Sequence, residues 1–319
     1  MNIKTKKLAV IAIGGNSLIV DKSHMSVSDQ YAAAHETCVH IADMIEHGWD
    51  VAVGHGNGPQ VGFILRRSEL SKHELHEVPL DACGADTQGA IGYAVQQNLY
   101  NEFIRRGLEK EAATVITQVE VDSNDPAFSN PSKPIGSFMS AEEAETRKKN
   151  DGWDVVEDAG RGWRRVVASP KPKRIIEEPA VKKLLDEGIV VITVGGGGIP
   201  VVADESGCLK GIAAVIDKDN ATSLLATNLN ADLFLITTAV EKVSLNFGKD
   251  NEKFVDQMTL PETKKYLAEG IHFAKGSMEP KIKAIIAFLE NGGKEALITN
   301  PPNIEKALKG ETGTRFIVG

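Results

Sequence analysis

Cysteine is scarce in this chain. Cys38, Cys83 and Cys208 are the only three in 319 residues, and no two form a CxxC pair. That usage excludes a disulfide-stapled scaffold and points to a reducing, cytoplasmic setting. Positive charge is also short: 36 lysines and arginines face 44 aspartates and glutamates, for a net charge of −8. An isoelectric point near 5.6 likewise argues against nucleic acid as the main partner. No apolar run approaches the length of a membrane span. Lys4, Lys6 and Lys7 before Leu8–Ile13 superficially resemble a signal peptide. The apolar run is short, however, and ends in Gly14-Gly15-Asn16 without a small-residue cleavage site, so it reads as a first strand. His35-Glu36 and His40 miss the HExxH zinc spacing by one residue. The common nucleotide signatures are missing as well. Pro59 and Pro200 stand where a third glycine of GxGxxG would fall, and GxxxxGK followed by Ser or Thr occurs nowhere, which counts against a Rossmann dehydrogenase and a P-loop ATPase.

What is present is an ordinary globular composition, 42% hydrophobic and 25% charged, enough for a sizeable core in one or two domains. One phrase recurs along the chain: a charged amphipathic helix stops at glycine and an apolar strand follows. It occurs at Gly48 before Asp50–Gly54, at Gly107 before Ala113–Val119, at Gly188 before Val190–Val194 and at Gly292 before Ala296–Thr299. Glycine just past a helix end supplies the left-handed cap from which a strand can leave directly. Leu8–Ile13, Leu233–Thr238 and Arg315–Val318 bring the count to at least seven strands. The expected fold is α/β: a mainly parallel sheet between two helical layers. Residues 122–173 break the alternation. Prolines mark both ends and only Ala141–Lys149 has a helical period, so this stretch reads as an insertion, either a flap beside the sheet or a passive surface excursion.

Parallel sheets bind ligands at the carboxyl ends of their strands. Three loops there are glycine-rich: Gly14-Gly15-Asn16, Gly54-His55-Gly56-Asn57-Gly58, and the four consecutive glycines Gly195–Gly198. Four glycines in a row are entropically costly unless something approaches the backbone too closely for a Cβ. Beyond them, Val215-Ile216-Asp217-Lys218-Asp219-Asn220 opens a helical run, Ala221–Leu229. Lys281 follows Ser277-Met278-Glu279-Pro280, where Ser277 suits an N-cap and Pro280 a first turn. A lysine at a helix start opposes the dipole by several tenths of a kcal/mol, and a bound anion reverses that sign. Lys133, in the insertion, could reach the same place from above. Taken singly each lysine could be a solvated surface group; with the glycine loops, phosphate binding is the stronger account. His55 could touch substrate or make a structural hydrogen bond. Arg164 and Arg165 could clamp an anion or pair with Glu157 or Asp158.

Several long phrases resemble the carbamate kinases, a branch of the amino acid kinase family. They are Ile13-Gly14-Gly15-Asn16, His55-Gly56-Asn57-Gly58-Pro59-Gln60-Val61-Gly62, Pro79–Ala85, Ser132–Gly136, Gly162-Trp163-Arg164-Arg165-Val166-Val167, Gly195–Pro200, Ala214–Asp219 and Gly276–Lys281, in order along nearly the whole chain. The resemblance implies a three-layer αβα sandwich with a small protruding flap. Residues 1–319 would be one domain, with a carbamoyl-phosphate lobe over 1–212, its flap about 122–173, and a nucleotide lobe over 213–319. It implies reversible phosphoryl transfer between carbamoyl phosphate and ADP, with Mg²⁺ carried by the nucleotide, no metal ligand assigned in the chain, and a homodimer. Arginine, agmatine or purine breakdown could each be the pathway.

By the same resemblance Gly14, Gly15, Asn16, Gly56, Asn57, Gly58, Gly196 and Gly197 would hold the substrate. Asp217, Lys218, Thr238, Ala239, Val243, Ser277, Met278 and Lys281 would hold the nucleotide. Lys133, Lys218 and Lys281 would surround the transferred group, with Asp219 orienting them. Ala12 stands where carboxylate-phosphorylating relatives such as acetylglutamate kinase usually have lysine. Departures from the carbamate kinase pattern are Ser17, Asp86, Ser137, Met139 and the missing acidic residue after Thr238. They leave open a paralogous kinase for another small acyl phosphate, or a non-catalytic sensor of nucleotide or carbamoyl phosphate.

Overall fold

Strand β1 (Lys7–Ile13) is buried from Ala9 to Ile13, and its side chains alternate between two different cores. Such a strand needs cover on both faces, which a parallel sheet with crossover helices supplies. The computed structural model describes residues 7–15, 18, 19, 21, 23–158, 160 and 162–319. After β1 come α1 (Val27–Glu46), β2 (Trp49–His55), α2 (Gly58–Ser71), α3 (Leu80–Arg106), β3 (Ala112–Thr114) and β4 (Gln118–Val121). The insertion holds β5 (Lys133–Met139), α4 (Ala141–Asp151), β6 (Asp154–Glu157) and β7 (Trp163–Val167). Then follow β8 (Pro172–Ile175), α5 (Glu178–Asp186), β9 (Val190–Ile192), β10 (Ile199–Ala203), β11 (Leu209–Gly211), α6 (Lys218–Asn228) and β12 (Leu233–Thr237). The last part comprises β13 (Val243–Leu245), β14 (Lys253–Val255), β15 (Gln257–Thr259), α7 (Leu260–Glu269), α8 (Met278–Glu290), β16 (Glu295–Thr299), α9 (Ile304–Leu308) and β17 (Thr314–Ile317).

The main sheet has the order β15–β17–β16–β12–β1–β2–β9–β3, parallel except where β16 meets β17. Val10 and Ala12 join Phe234 and Ile236 in a core roofed by α6 and α8, where Phe288 meets Phe234 edge to face at 5.5 Å. Ala9, Ile11 and Ile13 face the other way, into a core closed by Cys38 and Ile41 of α1 and Leu99 and Phe103 of α3. The expected three-layer α/β architecture is therefore the observed one, and all four expected cap glycines, Gly48, Gly107, Gly188 and Gly292, have positive φ.

The chain fills one flank of β1 with β2, β3 and β9, then crosses to build β12 and β15–β17 on the other. The order reverses between β1 and β12, and a crevice opens at the carboxyl ends of strands at such a switch point.

One expected strand is corrected. Ala113–Val119 is two elements: β3 ends at Thr114 in the main sheet, and β4 begins at Gln118 in a separate sheet ordered β11–β10–β4–β8. The break is fixed by Gln88, whose Oε1 accepts from the Thr117 N–H at 2.7 Å and whose Nε2 donates to the carbonyls of Thr117 and Gly195 at 3.0 Å each. Within the insertion, β5, β7 and β6 form an antiparallel sheet covering Lys133–Val167, with α4 packed beside it.

In the run Gly195–Gly198 what comes too close is the protein itself. Gly196, Gly197 and Gly198 have φ of 66°, 92° and 87°, and a Cβ on Gly198 would lie 2.1 Å from Val119 Cγ2. Gly198→Ala combines a left-handed backbone with overpacking, so it should cost about 3 kcal/mol. A lowered urea midpoint with an unchanged m-value checks this; a change within error would show that the loop can move aside.

Candidate active site

A cleft of about 620 Å³ opens at the switch point, within the size range of small-molecule sites. Its walls are the loop after β1 (Gly14, Gly15), the start of α2 (Gly56, Asn57, Gly58), the first turn of α6 (Asp217, Lys218, Asp219), the loop after β12 (Thr238, Ala239), and the first turn of α8 with its lead-in (Ser277, Met278, Lys281). Gly196 and, from β5, Lys133 also line it. Gly14 packs so tightly on the end of β12 that a Cβ there would sit 2.7 Å from the Thr237 carbonyl oxygen. The first and last halves of the chain therefore meet edge to edge at the cleft floor.

Helix α6 begins at Lys218, earlier than the expected start at Ala221, because the Asp217 carboxylate accepts from the Asp219 N–H at 2.9 Å and caps it. Asp219 is then forced into the first turn and is 2% exposed. Lys218 Nζ donates to its Oδ1, and Lys281 Nζ donates to its Oδ2 at 3.0 Å. Across the cleft Lys133 Nζ donates to Asp217 Oδ2 at 2.8 Å. Ser277 stands at the N-cap of α8 but makes no side-chain cap bond.

Burial alone would push the Asp219 carboxyl up, but Lys218 and Lys281 more than offset it and hold Asp219 below the usual carboxylate range. Burial lowers Lys218 below the ordinary lysine value; Asp219 opposes that shift and Lys281 adds to it. Two buried lysines sharing one carboxylate leave one positive charge without a partner, which a ligand anion can neutralise. Lys218 also walls the loop after β2, where a Cβ on Gly56 would lie 3.2 Å from its side chain.

Two assigned residues lie away from the cleft surface. Gly197 is buried behind it, its Cβ position 2.2 Å from the Ile216 carbonyl oxygen, and Val243 is fully buried in β13, its N–H donating to Thr314 Oγ1 at 2.8 Å. Asn16 lies outside the described residues. Asp86 is exposed on α3 and does not line the cleft. Asn57 is buried and its Nδ2 donates to Thr87 Oγ1 at 2.8 Å, so its amide is locked in place. Sequence reasoning missed the wall made by the β13–β14 hairpin, where Phe247 and Phe254 are 59% and 65% exposed yet face the cleft. Two phenylalanines within eight residues in a chain poor in aromatics were the available signal. Among the described residues, no group of three or more His, Cys, Asp or Glu is placed to hold a metal.

The profile of the Amino acid kinase family matches residues 7–300. The chain belongs to the amino acid kinase family. A carbamate kinase-like protein of Escherichia coli, YahI, is 51% identical, with 98% of this chain and 99% of that one covered. The carbamate kinase of Clostridium perfringens is 48% identical, with 97% and 99% covered. Among solved structures, a carbamate kinase from Giardia lamblia bound to AMP-PNP superposes with a TM-score of 0.91 at 39% identity, covering 98% of this chain and 99% of that chain. Within its family the chain is thus a kinase similar over nearly its whole length to carbamate kinases.

His55, left open by the sequence, is structural. It is 1% exposed, Nδ1 donates to the Gly56 carbonyl at 3.0 Å, and a Cβ on Gly195 would strike Nε2. Burial, with a smaller push from Lys218, lowers its pKa from 6.5 to about 4 against the opposing Gly56 bond. The unfolded chain therefore takes up this proton first. Stability from His55 is complete above pH 6.5 and is lost as pH falls towards 4, by up to about 3 kcal/mol. Urea unfolding at pH 7 and pH 4.5 should show a smaller difference in His55→Asn than in the parent; equal differences would place the titration elsewhere.

Proposed function

We propose that the protein catalyses reversible phosphoryl transfer between carbamoyl phosphate and ADP, giving ATP and carbamate. The observation that carries this reading is the cationic floor of the cleft: Lys218 and Lys281 bonded to opposite oxygens of buried Asp219, with Lys133 facing them from the flap. The relatives named carbamate kinase support it. The lobe up to about residue 212 would hold carbamoyl phosphate in the loops of Gly14, Gly15, Gly56, Asn57, Gly58 and Gly196; the Gly14 and Gly56 N–H groups already donate to Thr237 Oγ1 and the Ile13 carbonyl, so the backbone donors would be those of Gly15, Gly58 and Gly196. The lobe from about residue 213 would hold ADP through Thr238, Ala239, Ser277 and Met278, with Phe247 and Phe254 as an apolar wall suited to a purine face.

The carbamoyl O–P bond breaks as a β-phosphate oxygen of ADP bonds to phosphorus, and carbamate leaves. Bringing the two anions together costs about 4 kcal/mol per unit charge pair at 4 Å and an effective dielectric near 20. Lys218 and Lys281, preset by Asp219, oppose that repulsion and hold the equatorial oxygens in flight. Lys133 exchanges Asp217 for a phosphoryl oxygen when substrate arrives. The attacking group in either direction is already an anion, so no general base is required and positioning dominates. Mg²⁺ fits as an ion carried by the nucleotide: the cleft carboxylates Asp217 and Asp219 are occupied by lysines, Glu252 accepts from Ser244 Oγ and the Gly248 N–H, and Mg²⁺ is commonly held by phosphates, water and few carboxylates. When bound it would neutralise phosphate charge.

Homodimerisation is part of the same reading. Tyr93, Tyr100 and Ile104 of α3 lie in one helical stripe and are 58%, 59% and 65% exposed, an apolar surface of the kind that meets another chain. A cytoplasmic location fits the free thiols of Cys38, Cys83 and Cys208. Among the described residues no helix is long and apolar enough to cross a membrane.

ATP formation from carbamoyl phosphate, ADP and Mg²⁺ should fall by about a hundredfold or more in Lys218→Ala and in Lys281→Ala. No ATP from the parent protein despite tight ADP binding would overturn the assignment. Light scattering on a sizing column should give two chains per particle for the parent and one for Ile104→Glu; a monomeric parent would remove the dimer from the reading.

A further inference from the structure

A second cavity, of about 210 Å³, lies behind the cleft where the flap meets α2. Leu65, Arg66 and Glu69 of α2 form one side, and residues of β5, α4 and β7 the other, with Ile135 forming part of the wall of both cavities. Three arginines reach into it. Arg66 and Arg147 are already engaged, by Glu69 at 3.3 Å and by Asp151 at 3.0 Å. Arg165 is different. It is half-buried, its guanidinium lies over the Trp153 ring at 4.7 Å, and among the described residues its side chain makes no hydrogen bond or close ion pair, with Glu69, Asp151, Glu77 and Asp154 attracting it only from a distance. A guanidinium seated over an aromatic ring has given up part of its freedom in advance, and its N–H donors remain available to a carboxylate. Leu65, Ile135 and Trp153 supply apolar walls beside it.

We propose that this cavity binds a small organic carboxylate, its charge on Arg165 and its apolar body against Ile135 and Leu65, and that the ligand pins the flap to α2. The consequence reaches the cleft through β5. That strand carries Lys133 at its start, and its pairing with β7 is interrupted between Ile135 and Met139, directly over the cavity. At that point Gly62 of α2 and Gly136 of β5 approach so closely that a Cβ on Gly62 would lie 3.2 Å from Gly136 Cα. A ligand bridging the two sides therefore steadies Lys133 over the transferred phosphoryl group. The binding does not depend on the phosphoryl-transfer reading; its effect on Lys133 rests on it.

The test titrates the full chain with cyclohexanecarboxylate at constant ionic strength and reads tryptophan emission, with cyclohexanecarboxamide as the uncharged control. The expected result is a saturable change with the acid alone, absent in Trp153→Phe and at least tenfold weaker in Arg165→Gln and Arg165→Lys, each checked for an unchanged thermal midpoint. The acid should also lower KM for carbamoyl phosphate in the parent. No saturable change, or one that persists in both Arg165 variants and vanishes in Lys218→Ala, would overturn the site by placing the acid nowhere or in the cleft. Saturable, Arg165-dependent binding with unchanged kinetics on an active enzyme would overturn the coupling to Lys133.

Discussion

Asp219 sits buried between two ammonium groups, and much of the molecule is arranged to make that tolerable. Each of the three charges has lost hydration worth several kcal/mol, recovered only in good geometry. Asp217 sets that geometry by capping α6, which places Lys218 and Asp219 in its first turn, and the start of α8 delivers Lys281 from 62 residues further on. Both helices pack into the same apolar core, which includes Phe234 and Phe288. The triad carries one more positive charge than its carboxylate neutralises, which suits the cleft to an anion.

The glycine loops answer to the same geometry. Val194 enters the run Gly195–Gly198 with a φ of 45°, a costly value for a β-branched residue at the end of β9. The surroundings that impose it are His55, Gln88, Asn57 and the Ile216 carbonyl, all packed against the run. These groups tie the loops after β2 and β9 to α3 and to the lead-in of α6. These two glycine loops are therefore parts of the core, while the insertion meets the body at the Gly62–Gly136 contact and through Lys133, the lysine it carries into the cleft.

Much of the fold was legible because its signals are local. An apolar run followed by glycine, or a helix stopped by Gly107 or Gly188, needs only nearest neighbours to act. The exception is instructive. Ala113–Val119 has the β-branched content of a single strand, yet a side chain on α3, Gln88, takes the Thr117 backbone and splits it between two sheets. The candidate site was legible in its charged and glycine residues, which carry distinctive chemistry. Its aromatic wall was not, because Phe247 and Phe254 look like ordinary core residues until the hairpin turns them towards the cleft.

The amino-acid order by itself determined the alternation of strands and helices, the capped ends, the three glycine loops and the lysines at helix starts, since each depends on interactions within a few residues. Only the tertiary structure decided that Lys218 and Lys281 share one carboxylate, that His55 is a neutral strut, that Val243 and Gly197 stand behind the cleft wall, and that the Arg165 side chain has no close ion pair among the described residues. Those outcomes depend on which distant segments meet when β1 is flanked by β2 and β12. Burial and pairing at that junction are properties of the packed chain and of no single stretch within it.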